Sequence, residues 1–294
     1  MKTKKVHKSF LNVMFTVVVI VLIAGCSSSK NLSGDSKKGV MLRYSFPEKQ
    51  ALKYQSNFDI KQILDINGQE FIVDIGQYLA FSTILKSKSK TENHIHIDID
   101  TMDMSISSPQ GEINPDMKDV NGKGFDMFLS LLGSGLDVSG AEAIQYELSP
   151  GVKRNVVMTF KYLFPRLPEQ ALKVDDTWTM TDTITDKYDN EEVIMITDTD
   201  YTLAGFETIN GLDCVRITSV VTGTRTGKAI QQGVEMQSEG TMEGSGTYFF
   251  AKNNGYLVRD VSSITVDATL EVQGSQKRSI PMKFEINNKT ELSR

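Results

Sequence analysis

The chain has 294 residues, 39% of them hydrophobic, and 37 acidic side chains against 32 basic ones, for a formal charge of −5. An acidic body of this size is long enough for a sizeable core and argues against nucleic acid as a partner. Two cysteines and three histidines restrict disulfide, metal and histidine-based chemistry to very few positions.

The first elements lie at the amino terminus. Lys2, Lys4, Lys5 and Lys8 precede an apolar run over residues 13–24, broken only by Thr16. That run is shorter than the roughly 20 apolar residues of a spanning helix, and it follows a charged start, which predicts an export signal. It ends in Leu22-Ile23-Ala24-Gly25-Cys26. These five residues resemble the lipobox of bacterial lipoproteins. The resemblance implies cleavage between Gly25 and Cys26 and lipid on the Cys26 thiol and new amino terminus. The expected domains therefore begin with a signal peptide over 1–25 and a flexible tether over 26–39, rich in Ser, Gly and Lys. Loss of residues 1–25 removes four lysines and no acids, taking the formal charge from −5 to −9.

Period-two patterning then dominates. Val40, Leu42, Tyr44 and Phe46 alternate, and even-numbered apolar positions recur from Leu52 to Ile66. Asn67-Gly68 predicts a hairpin turn, because both residues tolerate positive φ. A return strand over 70–86 and a third over 94–106 complete a first antiparallel β module at 40–107. The apolar parity of the third strand switches near Asp100-Thr101, which predicts a bulge.

A loop and short-helix connector is expected at 108–176, with helical turns over 125–132 and 152–164, ended by Pro165 and Pro168. A second antiparallel β module at 177–294 shows strands near 177–185, 192–203, 212–223, 231–251, 256–272 and 277–287. Turns are expected at Asn210-Gly211, Asn254-Gly255 and Gln273-Gly274. The expected fold is mainly β: large curved antiparallel sheets, half-barrel or barrel-like, with the two modules as a possible duplication and short helical insertions between them.

Phe164-Pro165-Arg166-Leu167-Pro168, followed by an acidic turn and Trp178, resembles a stretch found in uncharacterised Bacteroidota-type periplasmic lipoproteins. More distantly, the architecture is similar to half-barrel carriers of the LolA/LolB type. The lipobox resemblance implies a lipid anchor in the bacterial cell envelope, and Ser27 after the cysteine, with no acidic cluster following it, points to the outer membrane, facing the periplasm. The anchor also makes the membrane a partner.

Three sets of residues stand out. His94, His96 and Asp98 alternate on one strand face, so a metal site is one reading and a solvent-facing polar row the other. Phe125, Phe128, Leu131, Phe160 and Phe164 supply apolar bulk, read either as core packing or as a lid over an apolar cavity. Cys214 lies in an alternating strand and is expected to be a buried hydrophobe. No catalytic residues are assigned, since no Gly-x-Ser-x-Gly elbow occurs and the histidines sit on one strand. No cofactor is expected beyond the covalent lipid on Cys26. The leading expectation is a lipoprotein, more likely without enzymatic activity than with it, that binds an apolar or amphiphilic, lipid-like ligand in its curved β body. A structural or assembly role with an envelope protein partner and an envelope polysaccharide hydrolase are the alternatives.

Overall fold

A computed structural model describes residues 39–293, except 150, 189, 232 and 274–276. The lipobox, Cys26 and the Gln273-Gly274 turn lie outside the described residues.

Alternating side chains with β-branched and aromatic enrichment form long strands: β1 (Leu52–Ile66), β2 (Gln69–Lys88) and β3 (Glu92–Ser108). Shorter strands follow: β4 (Gly111–Ile113), β5 (Gly124–Ser130), β6 (Gly135–Asp137), β7 (Gln145–Ser149) and β8 (Val152–Asn155). One short helix, α1 (Val157–Lys161), precedes β9 (Thr177–Tyr188), β10 (Glu191–Ile209) and β11 (Leu212–Gln231). The chain closes with β12 (Val234–Ala251), β13 (Tyr256–Gln273) and β14 (Arg278–Leu292). Asn67-Gly68 and Asn210-Gly211 adopt positive φ at both positions, as tight hairpins between twisted strands require.

One antiparallel sheet runs in the order β6-β5-β3-β2-β1-β14-β13-β12-β11-β10-β9, with β4 beside β3. Strands from both ends of the sequence meet where β1 pairs with β14, from Tyr54↔Leu292 to Leu64↔Met282. The expected barrel-like closure is therefore not formed: β6 and β9 end the order without pairing to each other. Both β segments share this sheet. The bulge appears where expected, since Ala80 faces Thr101 and Phe81 faces Ile99, leaving Asp100 unopposed.

The helical insertions also require correction. Residues 124–130 form β5, whose Phe125, Met127 and Leu129 are buried in strict alternation. That period of two was stronger than the i, i+3 spacing of Phe125 and Phe128, because β3 offered a free edge to pair with. Of the helix expected at 152–164, only the five residues of α1 are helical, and the segment begins as β8.

The connector covers one end of one sheet face. Tyr54, Phe81, Ile97 and Phe125 on the sheet meet Phe160, Phe164, Leu167 and Leu172, together with Leu42, Tyr44 and Phe46. Ring contacts knit this core: Phe160 lies 5.5 Å from Phe81 and 5.1 Å from Phe125, each edge to face. The Phe-Pro-x-Leu-Pro stretch is part of it. Phe164 packs on Tyr44 and Phe46, while the Tyr44 hydroxyl donates to the Pro165 carbonyl at 2.9 Å. Trp178 stacks on Tyr201 at 5.2 Å. The opposite face stays open.

Candidate functional site

Each open-face residue can be placed from the strand registers, because directly paired antiparallel residues project to the same side. On β1 the covered face carries Leu52, Tyr54 and Ser56, all buried, so Asn57, Asp59 and Lys61 lie on the open face. Asp59 pairs with Asn287 of β14 on one side and with Gly76 of β2 on the other. Asn287 pairs with Ser263 of β13, Ser263 with Ser245 of β12, and Ser245 with Val220 of β11. In the other direction Gly76 pairs with Ser105 of β3. A single lateral row of short side chains thus crosses seven strands.

Longer side chains stand on both sides of this row. One wall includes Thr247, Lys289 and Asn57, continued by Tyr78, which pairs with Asn57. The other includes Glu243, Glu285, Lys61 and Asp74. Between them lie two adjoining depressions of about 700 and 390 Å³ that share Asp59 and Asn287. Together the depressions make a shallow trough that runs across the strands.

A second polar group occupies the far end of the open face. His96 pairs with Asp126 of β5, and His94 with Phe128. The Asp126 carboxylate divides between the two rings: Oδ1 lies 2.5 Å from His96 Nδ1 and Oδ2 lies 3.2 Å from His94 Nε2. Asp98 Oδ1 lies 3.3 Å from His96 Nε2. The hydrogen bond from His96 leads the effects that hold the Asp126 carboxyl below its ordinary value. Phe128 stacks on the His94 ring at 4.4 Å, so it is a neighbour of the histidines and not a lid residue. Gly124 makes the arrangement possible, since a Cβ there would stand 2.7 Å from His96 Nε2.

The structure thus brings His94, His96 and Asp98 together and adds Asp126. It pairs them with one another, and among the described residues no group of three or more His, Cys, Asp and Glu side chains is arranged to hold a metal ion. Both His96 nitrogens and His94 Nε2 face carboxylate oxygens.

The apolar set separates in the same way. Phe125, Phe160 and Phe164 are buried in the core, whereas Leu131 and Phe128 are half-buried, Phe128 on the open face beside His94. None of these five lines either depression. The expected apolar ligand in a curved β body is overturned, because the rings meant to line its cavity fill the space against one another and the sheet is open. The hydrolase reading falls with it. The histidines bond aspartates, and Cys214 is buried with its thiol pushed up to about 11 by desolvation. The described residues form a β-rich, non-barrel fold with no catalytic metal or cysteine centre.

No family model and no curated protein matches the chain. Among solved structures it is similar to a Bacteroides fragilis protein assigned as exported, with a YmcC-like fold. That likeness has 10% identity, covers 84% of this chain and 97% of the other, and has a TM-score of 0.23. A DUF1329 family protein from Desulfovibrio piger is similar at 10% identity over 81% and 85% of the two chains, with a TM-score of 0.13. Overlap this loose carries no conclusion about function.

Sequence reasoning identified the histidine row but missed Asp126 and the trough. The signal for the trough was present: short polar residues recur at the solvent-facing parity of five long strands. Its meaning depends on register, which aligns residues more than 200 positions apart.

Proposed function

We propose that this chain is an exported, lipid-anchored envelope protein that works as a binding platform, holding a partner against the open face of its sheet. The lipobox Leu22-Ile23-Ala24-Gly25-Cys26 supports the anchor, with cleavage after Gly25 and diacylglyceryl attachment at Cys26. Two or more acyl chains make attachment stable, whereas one binds only marginally. The outer membrane, periplasmic side, is the proposed location. In the sequence the polar stretch 27–39 separates the proposed anchor from the folded body.

The observation that carries the platform reading is the uneven cover of the sheet. The connector fills one face at one end, while the trough on the opposite face bears polar side chains open to solvent. Burial of catalytic groups would have left a different pattern, with a nucleophile and base in contact.

Two measurements test this. Labelled palmitate is expected to enter the full chain and to be absent from Cys26→Ser; unlabelled wild-type chain overturns the anchor. A photo-crosslinking residue at Ser245, in intact cells, is expected to capture a defined species that the same residue at Gln170, exposed on the connector over the opposite face, does not. Equal capture from both positions overturns the platform.

A further inference from the structure

The geometry points to the open-face trough as a binding site for a linear, uncharged glycan, an assignment that rests on the platform reading and names its ligand class. Seven strands at a spacing of about 4.8 Å carry the floor across roughly 29 Å, which is the span of a polymer and not of a small metabolite. Its two depressions are continuous through Asp59 and Asn287.

The lining selects the chemistry. Ser245, Ser263, Asn287 and Asp59 offer hydroxyl, amide and carboxylate groups at the floor, all exposed, beside the exposed methyl groups of Val220 and Val261, which suit the apolar faces of sugar rings. Such groups exchange water for sugar hydroxyls at little net cost, since each both loses and regains hydrogen bonds. Tyr78 beside Asn57 adds an aromatic ring on the same face. Charge excludes anionic polymers. Asp59, Asp74, Glu243 and Glu285 outnumber Lys61, Lys283 and Lys289 on this face, where Lys283 is paired with Glu285 at 3.0 Å and Lys289 with Glu291 at 2.7 Å. A peptide strand finds no purchase either. The trough crosses the strands, where backbone donors and acceptors are spent on the sheet ladder, so strand addition has no free edge there.

A glycine and serines keep the floor low. A Cβ on Gly76 would come within 3.3 Å of Ser105 Oγ and 3.7 Å of Asp59 Oδ1, so even one methyl group begins to fill it. Bulk added at Ser263 or Ser245 obstructs the middle of the trough while touching only solvent-facing positions.

The test is affinity electrophoresis of the full acylated chain in detergent, through gels containing dextran, laminarin or xylan, with alginate as the acidic control. Saturable retardation by at least one neutral glycan is expected, at least tenfold weaker for Ser263→Phe and Ser245→Phe and unchanged for Thr269→Phe. Melting curves establish that each variant is folded, and the two blocking variants stand in for each other if one is not. No retardation by any neutral glycan, retardation by alginate alone, or equal retardation of the blocked variants overturns the assignment. Palmitate labelling is independent of this readout, so loss of the anchor and loss of the ligand are told apart.

Discussion

The Asn288 side-chain amide of β14 donates to Asp260 Oδ2 of β13 at 2.9 Å, leaving Asp260 Oδ1 buried with no hydrogen-bond partner. The pair lies on the covered face, within a polar band where Thr290 donates to Ser56 at 2.9 Å and Tyr248 to Ser219 at 3.3 Å. Desolvation pushes the Asp260 carboxyl from 3.8 up to about 7, against the opposing pull of Asn288. A carboxyl raised on folding favours the protonated fold, so its contribution is fully present below pH 3.8 and is lost as pH rises to about 7. At about 1.36 kcal/mol per pKa unit, the loss is on the order of 4 kcal/mol. Asp260→Asn is therefore expected to melt above the wild type at pH 8 and to flatten the slope between pH 4 and 7. Urea titrations across that range check it, and an unchanged slope refutes it.

Phe160 is fully buried between Phe81 and Phe125. Phe160→Ala removes both edge-to-face contacts and leaves a void, with an expected cost of about 3–5 kcal/mol. Because the ring lies on the face opposite the trough, retardation in glycan gels should be unaltered wherever the variant remains folded. Chemical denaturation supplies the stability; a loss below about 1 kcal/mol would show the void collapses.

Cys214 is wholly buried beside Ala251 and Val258, and its thiol donates to the Leu212 carbonyl at 3.5 Å. With the thiol pushed up to about 11, little thiolate exists near neutral pH. Iodoacetamide should label it only as the chain unfolds, tracking the urea transition. Rapid labelling of the native chain would contradict its burial.

Asp126 is half-exposed, so its bonds to His94 and His96 are screened by water and worth less than about 1 kcal/mol. Its lowered carboxyl contributes stability above its ordinary 3.8, and that share fades as pH falls through the folded value. Asp126→Asn should thus lower the melting temperature slightly at pH 7 and converge with the wild type in acid. Because both His96 nitrogens face carboxylates, equimolar zinc is expected to leave the melting temperature in place. A zinc-dependent rise abolished by His96→Ala would reverse the metal assignment.

Much of the fold was legible locally. The even-parity apolar positions of β1, the hairpin at Asn67-Gly68 and the bulge at Asp100 all appear where period and turn chemistry place them. The connector was misread because Phe125 and Phe128 satisfy a helical spacing as well as a strand's. The choice was made by the β3 edge, which is distant information. Phe164 likewise looks available for a lid until Tyr44 and Phe46, more than 100 residues earlier, are seen to pack on it.

By itself the sequence determined the strand periodicity, the tight-turn positions and the scarcity of histidine and cysteine, because each is written in neighbouring residues. Tertiary structure decided that the long strands join in a single open sheet, that Asp126 joins the histidines, and that Asp59, Asn287 and Ser263 stand abreast. Those outcomes depend on register between strands far apart in the chain, and a shift of one residue would turn every one of these side chains to the other face.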